Sequence, residues 1–274
     1  MFVKASSRDQ GVSAIQVEAA AVLRACRRNL AERGSNIAIE AAGGGGALGD
    51  WRHYPEGEVY DPESHAQHFY HRHPPGKGGC PAEHGHFHLF LRAEGMPPGM
   101  TPLVLPEHAV ADIPIPPQAA PLKRGNRDEV SHLIAIAIDS RGEPIRLFTT
   151  NRWVTGETWF RAEDVIRMLD RFRVECPEPS AELNCWLGAM VRLFRPQIAA
   201  LLRERDRTIM ASRRRRRVHV FEDARLEITS SLEIDLEARL AEIERARLPA
   251  LAGPRFALRL PLMDEGWVEE SGAA

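Results

Sequence analysis

The first part of the chain carries apolar residues at helical spacing. Between residues 12 and 32 they recur every three or four positions, and Gly34 follows them. This pattern predicts a helix that ends before Gly34. The run AAGGGGALGDW at 41–51 contains four consecutive glycines, which predicts a flexible linker. We therefore divide the chain into a helix and linker at 1–48 and a single α+β domain at 49–274.

Strands are predicted where the pattern alternates or becomes wholly apolar. Residues 83–92 (EHGHFHLFLR) alternate in the manner of a strand. Residues 132–154 contain two apolar runs around a polar turn at 139–142, which predicts a β-hairpin with a four- or five-residue loop. Both faces of 133–138 are apolar, so this strand should be central in its sheet. The proline-rich stretch 95–121 should run extended over the surface.

The segment DPESHAQHFYHRHPP, residues 61–75, has signals that are typical of a helix. Asp61 can cap the first turn, and Pro74 would end the helix. On such a helix His65 and His68, three positions apart, would share a face. We therefore expect a short histidine-bearing helix before the strand at 83–92.

Further helices are predicted in the second half of the chain. Apolar periodicity indicates helices at 161–173, at 180–211 with a kink at Pro196, and at 229–248. A final strand is expected at 255–262. The order of elements predicts an α+β fold, with a small antiparallel sheet, helices packed on it and a helical C-terminal half.

Composition narrows the function classes. The 274 residues are 43% hydrophobic and 27% charged, as in ordinary soluble globular proteins. No apolar run reaches the roughly 18 residues of a membrane span, and the N-terminus lacks the apolar core of a signal peptide. These features predict a cytoplasmic protein without a membrane partner. The sequence leaves a homo-oligomer open.

The charge distribution argues against a nucleic-acid partner. The formal net charge of −2 gives the molecule no overall attraction to nucleic acid. Five consecutive arginines at 213–217 form a basic run without interleaved aromatic residues. We interpret this run as a solvated junction that pairs with the acidic last helix.

Cysteine usage indicates a reducing environment. Cys26, Cys80, Cys176 and Cys185 are spread along the chain without a CxxC pair, as expected of reduced thiols. Cys80 lies in the histidine-rich region. We interpret it as a free loop cysteine, with a metal ligand as the alternative.

Histidines are concentrated in one part of the chain. Eight of the eleven lie close together: His53, His65, His68, His71, His73, His84, His86 and His88. Neutral imidazole binds zinc, copper and iron near physiological pH, and such clusters indicate metal binding. On the predicted strand His84, His86 and His88 would point to one side, so their rings could converge on one ion. His71 or His73 would add a ligand from the neighbouring segment.

Other side chains are candidates for catalytic roles. Glu83 would be a further ligand, the partner of a ligating histidine, or a general base. Tyr70 is one of three tyrosines within 17 residues, and a phenol beside a metal can hydrogen-bond a bound oxygen species. Arg152 would clamp a substrate carboxylate or phosphate, with Trp153 or Trp159 as a pocket wall. His132, which opens the central strand, is a weaker candidate.

These residues predict a metal-dependent enzyme that acts on a small molecule. We expect an oxidoreductase that uses bound iron or copper with dioxygen, and a zinc hydrolase is the alternative. A non-catalytic metal-binding or sensing protein is a further alternative, which would bind metal without turning over a substrate. The sequence identifies neither the metal nor the substrate.

A second interpretation comes from the residues HGHFHLF at 84–90, which fit the pattern His-x-His-x-His with apolar residues between. The pattern resembles the histidine-triad nucleotide hydrolases and transferases. The resemblance implies that His86 attacks an α-phosphate and that His84 and His88 bind and orient it. The sequence departs from that family at Gly85, where a bulky aliphatic residue is usual. The resemblance covers seven residues.

A broader resemblance rests on three blocks, HYPEGEVYDPESHAQHFYHRHP, EHGHFHLFLR and IRLFTTNRWVTGETW. Together they look like an uncharacterised bacterial family of domains of unknown function. The resemblance covers about residues 50 to 240 and implies that the three blocks form one domain. It implies no activity.

Overall fold

The computed structural model describes residues 11–44, 48–74, 81–106, 116–122, 129–215 and 219–251. Within them the helices are α1 (Ala14–Glu32), α2 (Ile37–Ala41), α3 (Arg152–Thr155), α4 (Ala162–Leu169), α5 (Ala181–Leu193), α6 (Arg195–Arg215) and α7 (Leu236–Leu251), with a 3-10 helix at Val220–Glu222. The strands are β1 (Tyr54–Tyr60), β2 (Ala66–His71), β3 (Gly85–Arg92), β4 (Leu103–Val104), β5 (Gln118–Ala119), β6 (Val130–Ile138), β7 (Pro144–Thr150) and β8 (Ile228–Glu233). Cys80, Arg216, Arg217 and the strand predicted at 255–262 lie outside the described residues.

Six strands form one antiparallel sheet in the order β1-β2-β3-β6-β7-β8, and β4 pairs with β5 in a two-stranded sheet. The central position predicted for the apolar strand is confirmed, because β6 pairs with β3 on one side and with β7 on the other. β6 and β7 form the predicted hairpin, joined by residues 139–143. The strand predicted at 83–92 is β3. The sheet and the helices after it confirm the α+β class.

Helices cover one face of the sheet. Tyr70, Phe87, Ile136 and Leu147 lie at paired positions of four adjacent strands, and all four side chains are fully buried. Trp186 of α5 packs on this face, with its ring centroid 6.1 Å from that of Phe87. Each such buried side chain contributes roughly 1.5–3 kcal/mol to stability. This layer therefore fixes the sheet against the helices and leaves the opposite face for other roles.

The N-terminal helix α1 begins at a capping box. The Ser13 hydroxyl accepts the backbone N–H of Gln16, and the Gln16 side chain accepts that of Ser13. The buried side of α1, which includes Leu23 and Leu30, packs against α5 in the same core as the sheet. The helix predicted at 12–32 is confirmed. The division of the chain at residue 48 stays a prediction.

The helix predicted at 61–75 is wrong, because this segment forms a short turn followed by strand β2. Asp61 caps the turn: its Oδ1 accepts the backbone N–H groups of Glu63 and Ser64 at 2.8 and 3.0 Å. An aspartate cap specifies a tight turn as readily as a helix start. Pairing of β2 with strands on both sides outweighs the local helix signals.

The C-terminal half has more breaks than predicted. The helix expected at 180–211 is divided at Phe194 into α5 and α6, and Pro196 lies in the first turn of α6 instead of at a kink. The helix predicted at 229–248 begins only at Leu236, because the preceding residues form edge strand β8 against β7. The helix predicted at 161–173 is confirmed as α4.

The basic run is not a solvated junction throughout. Arg213, at the end of α6, is buried, and its guanidinium donates to the carbonyl oxygen of Pro106. Two acidic side chains of α7 pair with α1, where Arg24 contacts Glu244 at 2.8 Å and Arg27 contacts Glu237. Glu242 pairs with Arg239 of α7 itself. These exposed pairs link the last helix to the first, and each contributes little to the free energy of unfolding.

Expectations about membrane spans, cysteines and the proline-rich stretch can be compared with the described residues. No helix there is long and apolar enough to cross a membrane. Cys26, Cys176 and Cys185 are free thiols. In the proline-rich stretch, the described residues form only the two-residue strands β4 and β5.

Candidate metal centre

The sheet face opposite the helices carries the histidines. The strand register pairs His71 of β2 with His86 of β3, then with Ala137 of β6 and Arg146 of β7. The adjacent row on the same face consists of Phe69, His88, Ala135 and Phe148. The two alanines of the central strand are small, so imidazole and phenyl rings from β2, β3 and β7 can lean together above it.

Three imidazoles converge where β2 ends and β3 begins. The ring centroid of His71 lies 4.3 Å from that of His86 and 4.9 Å from that of His73, and those of His73 and His86 are 5.1 Å apart. One ring nitrogen of each lies within 4.8 Å of the others, and the group could hold a metal ion. We call these residues the three-histidine group.

Two nitrogens of this group face each other directly. Nε2 of His71 and Nε2 of His73 are 3.0 Å apart. Such a pair shares at most one proton, or both lone pairs bind one cation. Bonds of 2.0–2.1 Å to a tetrahedral zinc ion would separate two ligand nitrogens by roughly 3.3 Å. The observed spacing is therefore close to that of two ligands of one ion.

Glu83 orients the third imidazole. Its Oε1 lies 2.5 Å from Nδ1 of His86, and its Oε2 accepts from Arg146 at 2.5 Å. Burial alone would raise the pKa of Glu83, but the hydrogen bond from His86 and the charge of Arg146 hold the pKa below its usual range. A carboxylate at Nδ1 places the ring proton there, which leaves Nε2 free as a metal ligand.

Burial disfavours the charged form of two of these rings, His71 and His86. It lowers the pKa of His71 to about 2, and the neighbouring rings of His86 and His73 add to the shift. Burial also lowers the pKa of His86, although Glu83 opposes the shift. Metal ions bind the neutral form of imidazole, so the lowered pKa values of His71 and His86 favour metal binding by these two rings.

A second imidazole pair adjoins the three-histidine group. Nδ1 of His88 lies 3.0 Å from Nε2 of His132, and both residues are buried. The His88 ring centroid is 4.9 Å from that of His86 and 5.2 Å from that of His71. Burial lowers the pKa of His132 to about 3. Five imidazoles thus form one continuous cluster on this face.

A β-bulge brings His132 to this face. Leu89 pairs with Ile134, but the next residue, Phe90, pairs with His132, so β6 has one extra residue at Leu133. The extra residue reverses the alternation of β6 at this point. His132 therefore points to the side of His88, and Leu133 joins the core under the helices.

Aromatic rings surround the cluster. The Phe148 ring centroid lies 5.0 Å from that of His86, and His53 stacks on Phe69 with centroids 3.8 Å apart. Trp51 stacks on His73 with centroids 4.4 Å apart, although Trp51 is itself 60% exposed. The rings limit water at the inner side of the group, and Trp51 covers its outer side.

Two of the predicted site residues pair with each other instead. His84 precedes β3, and its Nδ1 lies 2.7 Å from the hydroxyl of Tyr70, which is buried beside Phe87 on the helical side. A Cβ at Gly85 would come within 2.3 Å of the Tyr70 hydroxyl oxygen, so this contact requires glycine there. Of the three strand histidines, only His86 and His88 share the face that alternation predicts.

The remaining histidines of the sequence cluster have other partners. Nδ1 of His65 lies 2.7 Å from the Tyr60 hydroxyl. His68 lies under the helices, where its Nε2 donates to Oδ1 of Asn184 in α5 at 2.8 Å. Within the described residues, no tyrosine hydrogen-bonds to the three-histidine group. The catalytic role expected of Tyr70 stays a prediction.

Arg152 lies in a different part of the molecule. Its Nε donates to the carbonyl oxygen of Glu157 at 3.2 Å, and its Nη1 lies 3.4 Å from Oε1 of Glu222. Together with Trp159 it lines a separate cavity of about 550 Å³. Trp153 does not line this cavity, and its Nε1 donates to the carbonyl oxygen of Leu226.

Sequence reasoning missed Arg146 and gave His132 too little weight. Arg146 interrupts the apolar run of β7, and a charged residue in a buried strand requires a charged partner. That requirement is the signal that could have linked it to Glu83. His132 gave no such signal, because strict alternation places it under the helices.

The chain belongs to a family defined by a domain of unknown function (DUF6969), whose model matches residues 17–234. The match confirms the predicted resemblance to an uncharacterised domain family and spans every residue of the candidate metal centre. No curated protein and no solved structure matches the chain.

Proposed function

We propose that this member of the family is a metal-dependent enzyme in which His71, His73 and His86 bind one divalent transition-metal ion. Iron or copper in oxidation–reduction chemistry on a small molecule is our first choice. We place the protein in the cytoplasm because its cysteines are spread along the chain without a CxxC pair.

The observation that carries the proposal is the convergence of three imidazoles on one point. Histidines on a protein surface are not expected to cluster, because each imidazole loses solvation when the rings pack together. Here two facing nitrogens are 3.0 Å apart, and the third ring is held by a buried carboxylate. Three protein ligands leave a coordination position for a substrate or a small molecule, as in catalytic rather than structural sites.

The role of Glu83 favours redox chemistry over hydrolysis. A metal hydrolase needs a general base beside the metal-bound water. Glu83 is the one carboxylate among the described residues that hydrogen-bonds to the three-histidine group, and both of its oxygens are engaged, by His86 and by Arg146. It therefore supports the proposal as the partner that orients His86 and not as a base.

The residues around the group suit an electron-transfer site. When bound, iron or copper would exchange electrons with the substrate, with dioxygen as the oxidant. Phe69 and Phe148 exclude water from the inner side, and Trp51 holds the His73 ring by stacking. Imidazole binds both metals and suits this role without a charged ligand.

Histidine-triad chemistry has less support. It requires His84 and His88 to flank the nucleophile His86, and the hydrogen bond of His84 to Tyr70 places His84 away from the other two. A non-catalytic metal-binding protein remains the outcome of the test below if a bound metal shows no redox activity.

The test is reconstitution with iron(II), copper(II) or zinc(II) in separate samples of the parent and of a His73→Ala variant. We expect one equivalent of iron or copper in the parent, reduced by dithionite and reoxidised by dioxygen over repeated cycles, as followed by electron paramagnetic resonance. The variant should lose this signal. A His65→Gly control removes an imidazole outside the group at a position with φ 59°, which glycine tolerates. Binding of zinc alone would instead favour the hydrolase, and binding of no metal would contradict the proposal.

A further inference from the structure

The cavity beside Arg152 is distinct from the metal centre. It has a volume of about 550 Å³ and lies between strand β4, the 3-10 helix and the segment after α3. None of the three-histidine group lines it. A cavity of this size can take a small organic ligand.

Two carboxylates, those of Glu157 and Glu129, line the cavity. Glu157 is 2% exposed, and its Oε2 accepts the backbone N–H of His132 at 2.8 Å. Among the described residues, the Glu129 carboxylate accepts the hydroxyl of Thr158 at 2.9 Å. Within the described part of the chain, neither carboxylate forms a salt bridge. A buried carboxylate without a cation is costly, so a cationic ligand would stabilise this arrangement.

Among the described residues, the two arginines near Glu157 hydrogen-bond to other groups. Arg152 lines the cavity, but its charge is paired with Glu222. Arg205 acts on Glu157 only through space, because its guanidinium donates to Asp206 and to the carbonyl oxygen of Phe160. Burial nevertheless dominates and raises the pKa of Glu157 to about 7. The cavity is therefore not the anion clamp that the sequence suggests for Arg152.

The other walls are mainly apolar and aromatic, and among the described residues the buried ring nitrogens Nε1 of Trp159 and Nδ1 of His219 have no hydrogen-bond partner. Leu103 and Leu105 line one side, and Trp159 and Phe221 line another, with ring centroids 5.4 Å apart. Trp159 is 5% exposed, and in the part of the chain that the structure describes its buried Nε1–H has no hydrogen-bond partner. An indole N–H is only a donor, so an acceptor atom on a ligand would satisfy it.

From these features we infer that the cavity binds a small organic amine, whose ammonium group pairs with Glu157. Its apolar or aromatic body packs against Trp159 and Phe221, and an oxygen or other acceptor on it receives the Trp159 N–H. Aromatic walls also attract a cation through their ring faces. The inference does not depend on the metal, because the cavity residues and the three-histidine group do not overlap.

The test uses three probes of one shape and different charge: tyramine, neutral 4-hydroxyphenylethanol and anionic 3-(4-hydroxyphenyl)propionate. Isothermal titration calorimetry at pH 8 measures the binding of each to the full-length protein. We expect saturable binding of tyramine and much weaker binding of the other two. Glu157→Gln should lower the affinity for tyramine about thirtyfold, because it removes one partner of a buried ion pair.

A matched control is Glu227→Gln, which changes the charge equally at an exposed residue that does not line the cavity. Its affinity for tyramine should stay within about threefold of the parent. Glutamine at 157 keeps an oxygen to accept the His132 N–H, and circular dichroism would verify that this variant folds. Equal or tighter binding of the propionate, an unchanged affinity in Glu157→Gln, or no binding of any probe would overturn the inference.

Discussion

Nδ1 of His86 lies 2.5 Å from Oε1 of Glu83, and both side chains are buried. This contact decides which nitrogen of His86 is free. Because a charged carboxylate fixes the ring proton on Nδ1, Nε2 presents its lone pair to the three-histidine group. Arg146 in turn keeps Glu83 charged. Glu83 and Arg146 thus connect the candidate metal centre across the sheet to β7.

Replacing Glu83 by glutamine should weaken metal binding without removing any ligand. We expect metal affinity to fall about tenfold or more, as for other partners of ligating histidines. Competition with a chelator of known affinity measures the change. The matched control is Glu58→Gln, whose carboxylate bonds to His53 outside the group; its metal affinity should be unchanged. Equal losses in both variants would contradict the role assigned to Glu83.

Trp51→Gly separates metal binding from folding. Trp51 stacks on His73 but adopts a left-handed backbone with φ 64°, which glycine tolerates better. Loss of the stacking, which contributes about 1 kcal/mol, should weaken metal binding about fivefold. The free energy of unfolding in urea should stay the same or rise. A fall in stability with unchanged metal affinity would show that Trp51 serves the fold instead.

A substitution of Asn184 tests whether His68 stabilises the fold or takes part in metal binding. The Asn184 side chain accepts from His68 and donates to the carbonyl oxygens of Cys176 and Glu178. Asn184→Ala should therefore lower the free energy of unfolding by about 3 kcal/mol, since it leaves buried polar groups unpaired. Metal content should not change. As a control, Cys185→Ala at the next, exposed position should alter stability by less than about 0.5 kcal/mol. Metal loss in Asn184→Ala would place His68 in the site.

Glu157 should make stability depend on pH. Burial raises its pKa from 4.5 to about 7 in the folded protein, although Arg205 and Arg152 oppose the shift. The folded state thus favours the protonated acid. The raised pKa of Glu157 therefore adds to the free energy of unfolding. This contribution of about 3 kcal/mol is complete below pH 4.5 and is lost as the pH rises through 7.

Comparison with Glu157→Gln isolates this effect. The free energy of unfolding of both proteins is measured in urea from pH 4.5 to 8.5. The value for the parent minus the value for the variant should fall as the pH rises. Other titrating groups contribute equally to both proteins and cancel. A difference that is flat or that rises with pH would show that Glu157 is charged throughout.

Patterns that depend on one strand or helix were predictable from the sequence. The hairpin of β6 and β7, the central place of β6 and helix α1 follow from apolar periodicity alone. The helix predicted at 61–75 failed because Asp61 caps a turn, and strand pairing decided the rest. Histidine clustering correctly pointed to His71, His73 and His86 as neighbours.

What the sequence could not show is register. His84 leaves the predicted face because it precedes β3, which begins at Gly85, two residues later than predicted. His132 joins that face because one extra residue at Leu133 reverses the alternation of β6. Both outcomes depend on pairing with other strands. Arg146 likewise meets Glu83 only through pairing of β3, β6 and β7.

The most direct test of the metal centre is elemental mass spectrometry of the protein purified without a histidine tag, alongside His86→Ala and His84→Ala. We predict near-stoichiometric iron, copper or zinc in the parent and in His84→Ala, and its loss in His86→Ala. Loss in His84→Ala with retention in His86→Ala would contradict the ligand set. A parent that stays free of metal after incubation with all three ions would contradict the metal centre itself.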